Sequence, residues 1–314
     1  MRPMPLAAAR RRGLALAMSI AAMVASAGVH TGTAAATTYP IEASYTPSGP
    51  FATTTGTVTN GSGTAIYDLF YPSNYATLGF ASPIVTWGNG TNATPTMYST
   101  FLSHLASYGF TVIASTLANT GSGNEIDAAA HYLVSQNATV GSVFNGHLDV
   151  SHVAAVGHSQ GAGGATRVAT NDPSLITTLM TFSLPNTQWV GSNPDCPTKA
   201  DCMYYPNRLA QPTFFISTHG FLDSFIAGPA TETAFYNSVN GHASVGVIQN
   251  SDGKAADHNS IQNAANGGNP GGEFGYATAW LEYQLRGNAT AGTAFNGAHP
   301  ELVTNANWPG SGTK

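Results

Sequence analysis

The segment Val153-Ala-Ala-Val-Gly157-His-Ser159-Gln-Gly161-Ala-Gly-Gly-Ala165 constrains this chain more than any other. Val153–Val156 are small or β-branched and read as a short buried strand. The small residues after Gly161 suit a helix that packs close to that strand. Between them, Gly-x-Ser-x-Gly puts Ser159 on a sharp strand-to-helix turn, where any side chain at the flanking glycines would collide with neighbouring backbone. Such a turn holds a serine in a strained conformation with its hydroxyl exposed above the sheet, and a serine held so is typically a nucleophile. The five-letter pattern alone is weak in a chain with 35 Gly among 314 residues. A glycine-rich turn with an idle serine would read the same. The flanking strand and helix, and the partners found downstream, strengthen it.

Residues 1–36 read as a targeting leader. Arg2 and Arg10-Arg11-Arg12 make a basic start, residues 13–27 are apolar but too short to span a bilayer comfortably, and Ala34-Ala35-Ala36 offers a small-residue cleavage site. The boundary is placed after Ala36, with Ala27 the alternative. The leader holds four of the ten Lys and Arg and none of the 15 Asp and Glu, so the remainder has a formal charge of −9. That balance argues against nucleic acid and anionic membranes as partners. No other long apolar run occurs. The expectation is a secreted monomer with no membrane partner once the leader is removed. Charged residues are only 8% of the chain, against a usual quarter. Hydrophobic residues at 42% still suffice for a substantial core.

Cys196 and Cys202 are the two cysteines, six positions apart. In an exported protein they read as a disulfide that stiffens a surface loop, worth about 2.4 kcal/mol on loop entropy. A zinc pair is disfavoured because no second Cys/His pair with ligand spacing accompanies them. The expectation is no metal and no cofactor.

Strand and helix patterns alternate along the rest. Residues 54–59 and 64–71 alternate like paired strands around Asn60-Gly61-Ser62-Gly63, a hairpin signal. Short apolar strands are expected at 83–87, 110–114, 153–156, 176–182, 213–217 and 243–249. Helices are expected at 98–108, 124–136, 229–239 and 274–286, besides the one after Ser159. This pattern predicts an α/β fold: one domain over 37–290, with a mostly parallel sheet, helices on both faces and no large lid. The tail is polar from Asn288 onward, and residues 291–314 are expected to pack loosely on the domain or trail from it.

A serine hydroxyl needs a neutral imidazole to take its proton and a carboxylate to orient that imidazole. In this kind of sheet the partners follow the serine in the order acid, histidine, each on a loop after a strand. Asp223, in Gly220-Phe-Leu-Asp223-Ser-Phe-Ile226, lies just beyond the strand at 213–217 and is ringed by apolar residues. It is chosen over Asp172, Asp195, Asp201, Asp252, Asp257, Glu232, Glu273, Glu282 and Glu301. Helix capping is the plainer reading of an aspartate there. His258 follows the strand ending at Gln249 and is the expected base. His242 sits at the other end of that strand, His219 precedes the acid, and His299 follows the last helix. His158 is read as packing, its ring turned away from the serine's cleft. The oxyanion formed during attack needs two backbone N–H donors. These are assigned to Gln160 and to Thr91, in the loop after the strand at 83–87, with Asn92 second. The rate should rise as the His258 imidazole loses its proton.

These residues, with Phe70-Tyr-Pro72, Trp87-Gly-Asn-Gly-Thr91, the run from His104 to Ile113, Pro185 to Trp189, and Asp223-Ser-Phe-Ile-Ala227, resemble the secreted bacterial cutinase and polyester-hydrolase group of α/β-hydrolases. That group includes enzymes that attack poly(ethylene terephthalate). The likeness runs from about Gly49 to about Trp308. It implies hydrolysis of ester or polyester substrates in a shallow, exposed cleft, with Trp189 lining it; an ordinary core tryptophan is the alternative. The family places an aromatic residue at the first oxyanion position, here Thr91, and often a methionine after the nucleophile, here Gln160. Both changes make the cleft more polar and weigh against strong activity on aromatic polyesters. The family's C-terminal disulfide has no counterpart, since no cysteine follows Cys202.

Overall fold

Neighbouring residues in an extended strand point to opposite faces, so a strand apolar throughout must be covered on both sides. In this chain Ile84, Ile113, Val153, Ala155 and Phe215 join one core, while Val85, Trp87, Val112, Val156, Phe214 and Ile216 join the other. The computed structural model describes residues 39–191, 195–251, 254–262 and 271–314; the leader read at 1–36 and Asp252 lie outside them. The described residues, from 39 onward, belong to one compact unit.

The strands are β1 (Thr53–Thr59), β2 (Ala65–Pro72), β3 (Ser82–Gly88), β4 (Thr111–Ser115), β5 (Leu148–His158), β6 (Ile176–Phe182), β7 (Thr213–Thr218), β8 (Ala243–Ile248), the short pair β9 (Asn250–Ser251) and β10 (Lys254–Ala255), and β11 (Gly312–Thr313). Nine of them make one sheet in the order β1-β2-β4-β3-β5-β6-β7-β8-β11. β3 to β8 run parallel. The β1–β2 hairpin and β11 are antiparallel additions at the two edges. In the hairpin turn, Asn60 Oδ1 accepts from the N–H of Ser62 and of Thr64, and Gly63 takes a φ of 83°.

The helices are α1 (Pro40–Tyr45), α2 (Ser99–Ser107), α3 (Asn124–Ala138), α4 (Gln160–Asn171), α5 (Lys199–Cys202), α6 (Phe221–Ile226), α7 (Pro229–Ser238), α8 (Phe274–Arg286), α9 (Ala289–Gly292) and α10 (Glu301–Thr304). α2 and α8 cover one face with Phe101, Leu105, Trp280 and Leu281. α3, α4 and α7 cover the other, with Ile126, Leu133, Ala165, Val168 and Phe235. This is the mostly parallel, two-sided α/β architecture expected from the sequence.

β5 and the tail differ from expectation. β5 begins five residues early, at Leu148, because its pairing with β3 shifts register between Pro83 and Ile84. Its polar residues Asp149, Ser151 and His152 sit in that irregular stretch and hide the strand from a hydrophobicity reading. The polar tail, in turn, is tightly built in. Trp308 and Leu302 are fully buried, and β11 pairs with β8. The anchor is Glu42 in α1, whose carboxyl oxygens accept from Gly271 N–H, Asn305 Nδ2 and Trp308 Nε1. Glu301 returns the contact by capping α1 through the N–H groups of Ile41 and Glu42, each at 2.9 Å. A few apolar anchors and a polar network do here what an apolar run does elsewhere.

Candidate active site

β5 ends at His158 and α4 begins at Gln160, leaving Ser159 alone at the corner with φ 53° and ψ −126°. A non-glycine residue there stores strain of roughly 1–3 kcal/mol. Close packing holds it: a Cβ on Gly88, in the adjacent strand, would come within 2.6 Å of the Gly161 carbonyl oxygen. Ser159 therefore stands at the carboxyl end of the parallel strands and at the positive end of a 12-residue helix.

His258 Nε2 lies 2.9 Å from Ser159 Oγ, and His258 Nδ1 lies 2.6 Å from Asp223 Oδ1. The carboxylate only accepts, so Nδ1 carries the proton and Nε2 is left to accept from the serine hydroxyl. Asp223 is fully buried, and His258 is 5% and Ser159 8% exposed. The second oxygen of Asp223 accepts from Ser183 Oγ, Thr218 N–H and Thr218 Oγ1, which fix its plane. Behind it, Glu232 is fully buried. Burial first, and then the neighbouring Asp223 charge, push its carboxyl well above the usual range. A neutral Glu232, holding the Leu184 N–H, spares Asp223 a second negative charge.

Asp223 sits in the first turn of α6, where a loop was expected. Gly220 gives this helix no side-chain cap. The cap comes instead from Asp257 Oδ1, which accepts from the N–H of Leu222 (2.9 Å), Asp223 (3.1 Å) and His258 (2.8 Å). One carboxylate oxygen thus ties the helix of the acid to the loop of the histidine. Sequence reasoning passed over this residue; its position directly before His258 was the available signal.

His158 is buried and turned away from the cleft, yet it does more than pack. Its Nε2 faces the His258 carbonyl oxygen at 2.8 Å, so that nitrogen carries the proton. Nδ1 then accepts from Tyr98 O–H at 3.0 Å, and the Tyr98 oxygen accepts from Gly90 N–H (3.0 Å) and Gln262 Nε2 (3.2 Å). Burial, reinforced by the neighbouring His258, pulls the His158 pKa down to about 3, while burial pushes that of Tyr98 up to about 12. Both rings keep their neutral forms. Gly90 must be glycine, because a Cβ would lie 2.7 Å from His158 Nδ1. The network spans the loop before Thr91, the serine corner and the histidine loop.

Gln160 and Thr91 line the same cleft as Ser159, together with Gly121, Pro185, Trp189, Val190, Cys202, Tyr204 and Ile226. The Gln160 side chain bends to Asn119 Oδ1 and the Ala118 carbonyl, leaving its N–H at the first position of α4, where no intrahelical acceptor exists. The Asn92 amide, the second choice for the oxyanion, donates to the Ala118 carbonyl at 2.9 Å. Trp189 is 43% exposed on the cleft's edge and donates Nε1–H to the Phe225 carbonyl. It is not a core tryptophan. The Cys196–Cys202 disulfide forms, but both residues are buried and Cys202 belongs to the cleft wall, so the bridge does more than stiffen surface. Arg167 holds the same segment through the Met203 carbonyl, and Tyr204 O–H donates to the Pro185 carbonyl. Asp195 accepts from Ser122 N–H, and Asp201 caps α5. His242 stacks on Trp280, and His219 and His299 are exposed.

A mostly parallel sheet covered on both faces, with a strained serine at the strand-to-helix corner and an acid and a histidine after later strands, defines an α/β-hydrolase. A family profile described as PETase: PET hydrolase-like matches residues 26–285, and the chain belongs to that family. Membership implies a hydrolase acting on esters. No curated protein matches the chain.

Proposed function

We propose that this chain is a secreted serine ester hydrolase of the cutinase and polyesterase kind, with Ser159 as nucleophile, His258 as base and then acid, and Asp223 as the orienting carboxylate. The observation that carries this reading is the unbroken run of short contacts from Ser159 Oγ through His258 to Asp223. Ser159 Oγ attacks the ester carbonyl carbon while His258 Nε2 takes its proton. The N–H groups of Gln160 and Thr91 receive the developing oxyanion, helped by the α4 dipole. The intermediate collapses, His258 gives its proton to the departing alcohol, and an acyl-enzyme remains. Water, deprotonated by the same imidazole, then releases the acid.

The apolar side of the cleft, formed by Pro185, Trp189, Val190 and Ile226, suits an acyl chain. Thr91 and Gln160 supply no aromatic or thioether surface for a planar ring, which favours aliphatic over aromatic polyesters. Residues 1–36 act as the export leader, and among the described residues no helix is long and apolar enough to cross a membrane. The rival reading is a carboxylesterase or lipase confined to small esters. The deciding experiment measures acid release from a dispersed aliphatic polyester beside hydrolysis of a short p-nitrophenyl ester, with Ser159→Ala as blank. Both activities are expected, and both should vanish in the blank. Activity on the small ester alone selects the rival. Silence on both from folded protein, with no fluorophosphonate adduct on Ser159, leaves a binding module on a hydrolase scaffold.

A further inference from the structure

Six of the ten Lys and Arg lie outside the leader, and two of these line one small cavity. Arg167 and Arg208 border it with Thr170, Asn171, Met203 and Tyr205, around a volume of about 170 Å³. Among the described residues the only arginine in an ion pair is Arg286, with Glu282. Arg167, half-buried in α4, gives Nε–H to the Ser122 carbonyl at 2.8 Å and Nη1–H to the Met203 carbonyl at 2.7 Å. Its Nη2 donors have no acceptor among the described residues. Arg208 is exposed, and its side chain makes no hydrogen bond there. Its Cζ stands over the Tyr205 ring, 4.3 Å from the centroid, which restrains the guanidinium without using an N–H. Asp201 in α5 is the acid whose charge feels Arg167, yet it stays beyond ion-pair reach, bonded to Thr198.

Two guanidinium groups with unspent donors and no carboxylate partner suit an oxyanion, which their planar forks can grip. Asn171 adds a side-chain amide with no partner among the described residues, while Met203 and Tyr205 offer apolar surface. We infer that this cavity is a second ligand site, taking the carboxylate of a small aliphatic acid with its tail on Met203 and Tyr205. Phosphate would use the polar groups alone and leave that surface idle. A polyanion is a poorer match still, because the net negative charge of the chain repels it. Arg167 also borders a larger cavity, but that one holds Asp127 and Asp172, which repel an anion. The inferred site adjoins the proposed reaction. Tyr204 lines both this cavity and the cleft of Ser159, a common wall between them. An acid released in the cleft therefore has a carboxylate site on the other side of one ring; that link rests on the function proposed above.

Titration calorimetry with hexanoate tests the site on the parent and on variants of Arg208. Arg208→Gln removes one fork, and because that side chain is exposed and makes no hydrogen bond the fold should be untouched, with Tm unchanged. The expected result is an affinity about tenfold weaker, the share of one charge-assisted pair. Arg208→Lys keeps the charge and loses the fork, and should weaken binding by about threefold. Lys314→Gln, whose amine stands over the Tyr236 ring, removes a charge elsewhere and should change nothing. Hexanoate lodged in the cleft would ignore Arg208, so equal affinity in the parent and Arg208→Gln overturns the inference. An equal loss in Lys314→Gln overturns it too, since diffuse charge would then be the cause. So does inorganic phosphate bound more tightly than hexanoate. Nothing is hydrolysed in this measurement. A chain that cleaves no ester can still hold hexanoate here, so the site and the proposed function fail separately.

Discussion

The Tyr98 hydroxyl has one hydrogen to give and gives it to His158, while its oxygen receives Gly90 N–H and Gln262 Nε2. His158 passes that restraint to the backbone carbonyl of His258. Tyr98→Phe leaves the ring in place and removes the hydroxyl, so the His258 backbone and the loop before Thr91 lose a common tether. The expected result is a fall in kcat of about tenfold on a dissolved ester with KM little changed, because the groups set by the tether act on the transition state. A purely structural tyrosine would shift Tm and leave kcat alone. At this scale the proposed set of Ser159, Asp223 and His258 was readable from sequence, because in this fold the acid and then the histidine follow the serine at strand ends. Tyr98 was legible only as a helix-face residue. Its use depends on a histidine 60 positions away, and no local pattern encodes that distance.

α6 is six residues long, too short for a helical period to announce itself, and its N-terminus is capped from a loop 35 residues downstream. Hence the sequence placed Asp223 correctly after its strand but read the segment as loop. Asp257→Ala removes the acceptor shared by three N–H groups and should cost ~1–2 kcal/mol. It should also lower kcat, since acid and base lose their common tie. Asp257→Asn keeps the accepting oxygen and should restore most of both. Chemical denaturation beside initial rates for the two variants checks this; equal damage from Asn and Ala would mean that charge, and not the cap, matters. Elements whose evidence was hydrophobic alternation or period, such as β3, β6, α3 and α8, were legible. β5 was legible only where its residues turn apolar.

Over the whole molecule, buried histidines link folding to pH. Burial lowers the pKa of His104 to about 4 and of His158 to about 3, and that of His242 moves in the same direction. The unfolded chain therefore takes up protons below about 6.5 that the folded chain refuses. Stability is fully present above that value and is lost as pH falls towards the folded ones. Glu232, held neutral in the fold, works the other way as pH drops towards the ordinary carboxyl range. A difference measurement isolates one term. Between pH 7 and pH 4 the parent should lose about 3 kcal/mol more than His104→Gln, a gap of roughly 6 °C or more in Tm. Parallel Tm curves would show that His104 carries no such linkage. The sheet and its two covers were legible at this scale, but the seating of the tail was not, because Glu42 and Trp308 meet across 266 positions through polar bonds. That meeting has a temporal side. Synthesis delivers Glu42 long before its partners Gly271, Asn305 and Trp308, so its carboxylate waits for them after the rest of α1 has met His104 and Tyr108. Residues made late close a part of the fold made early.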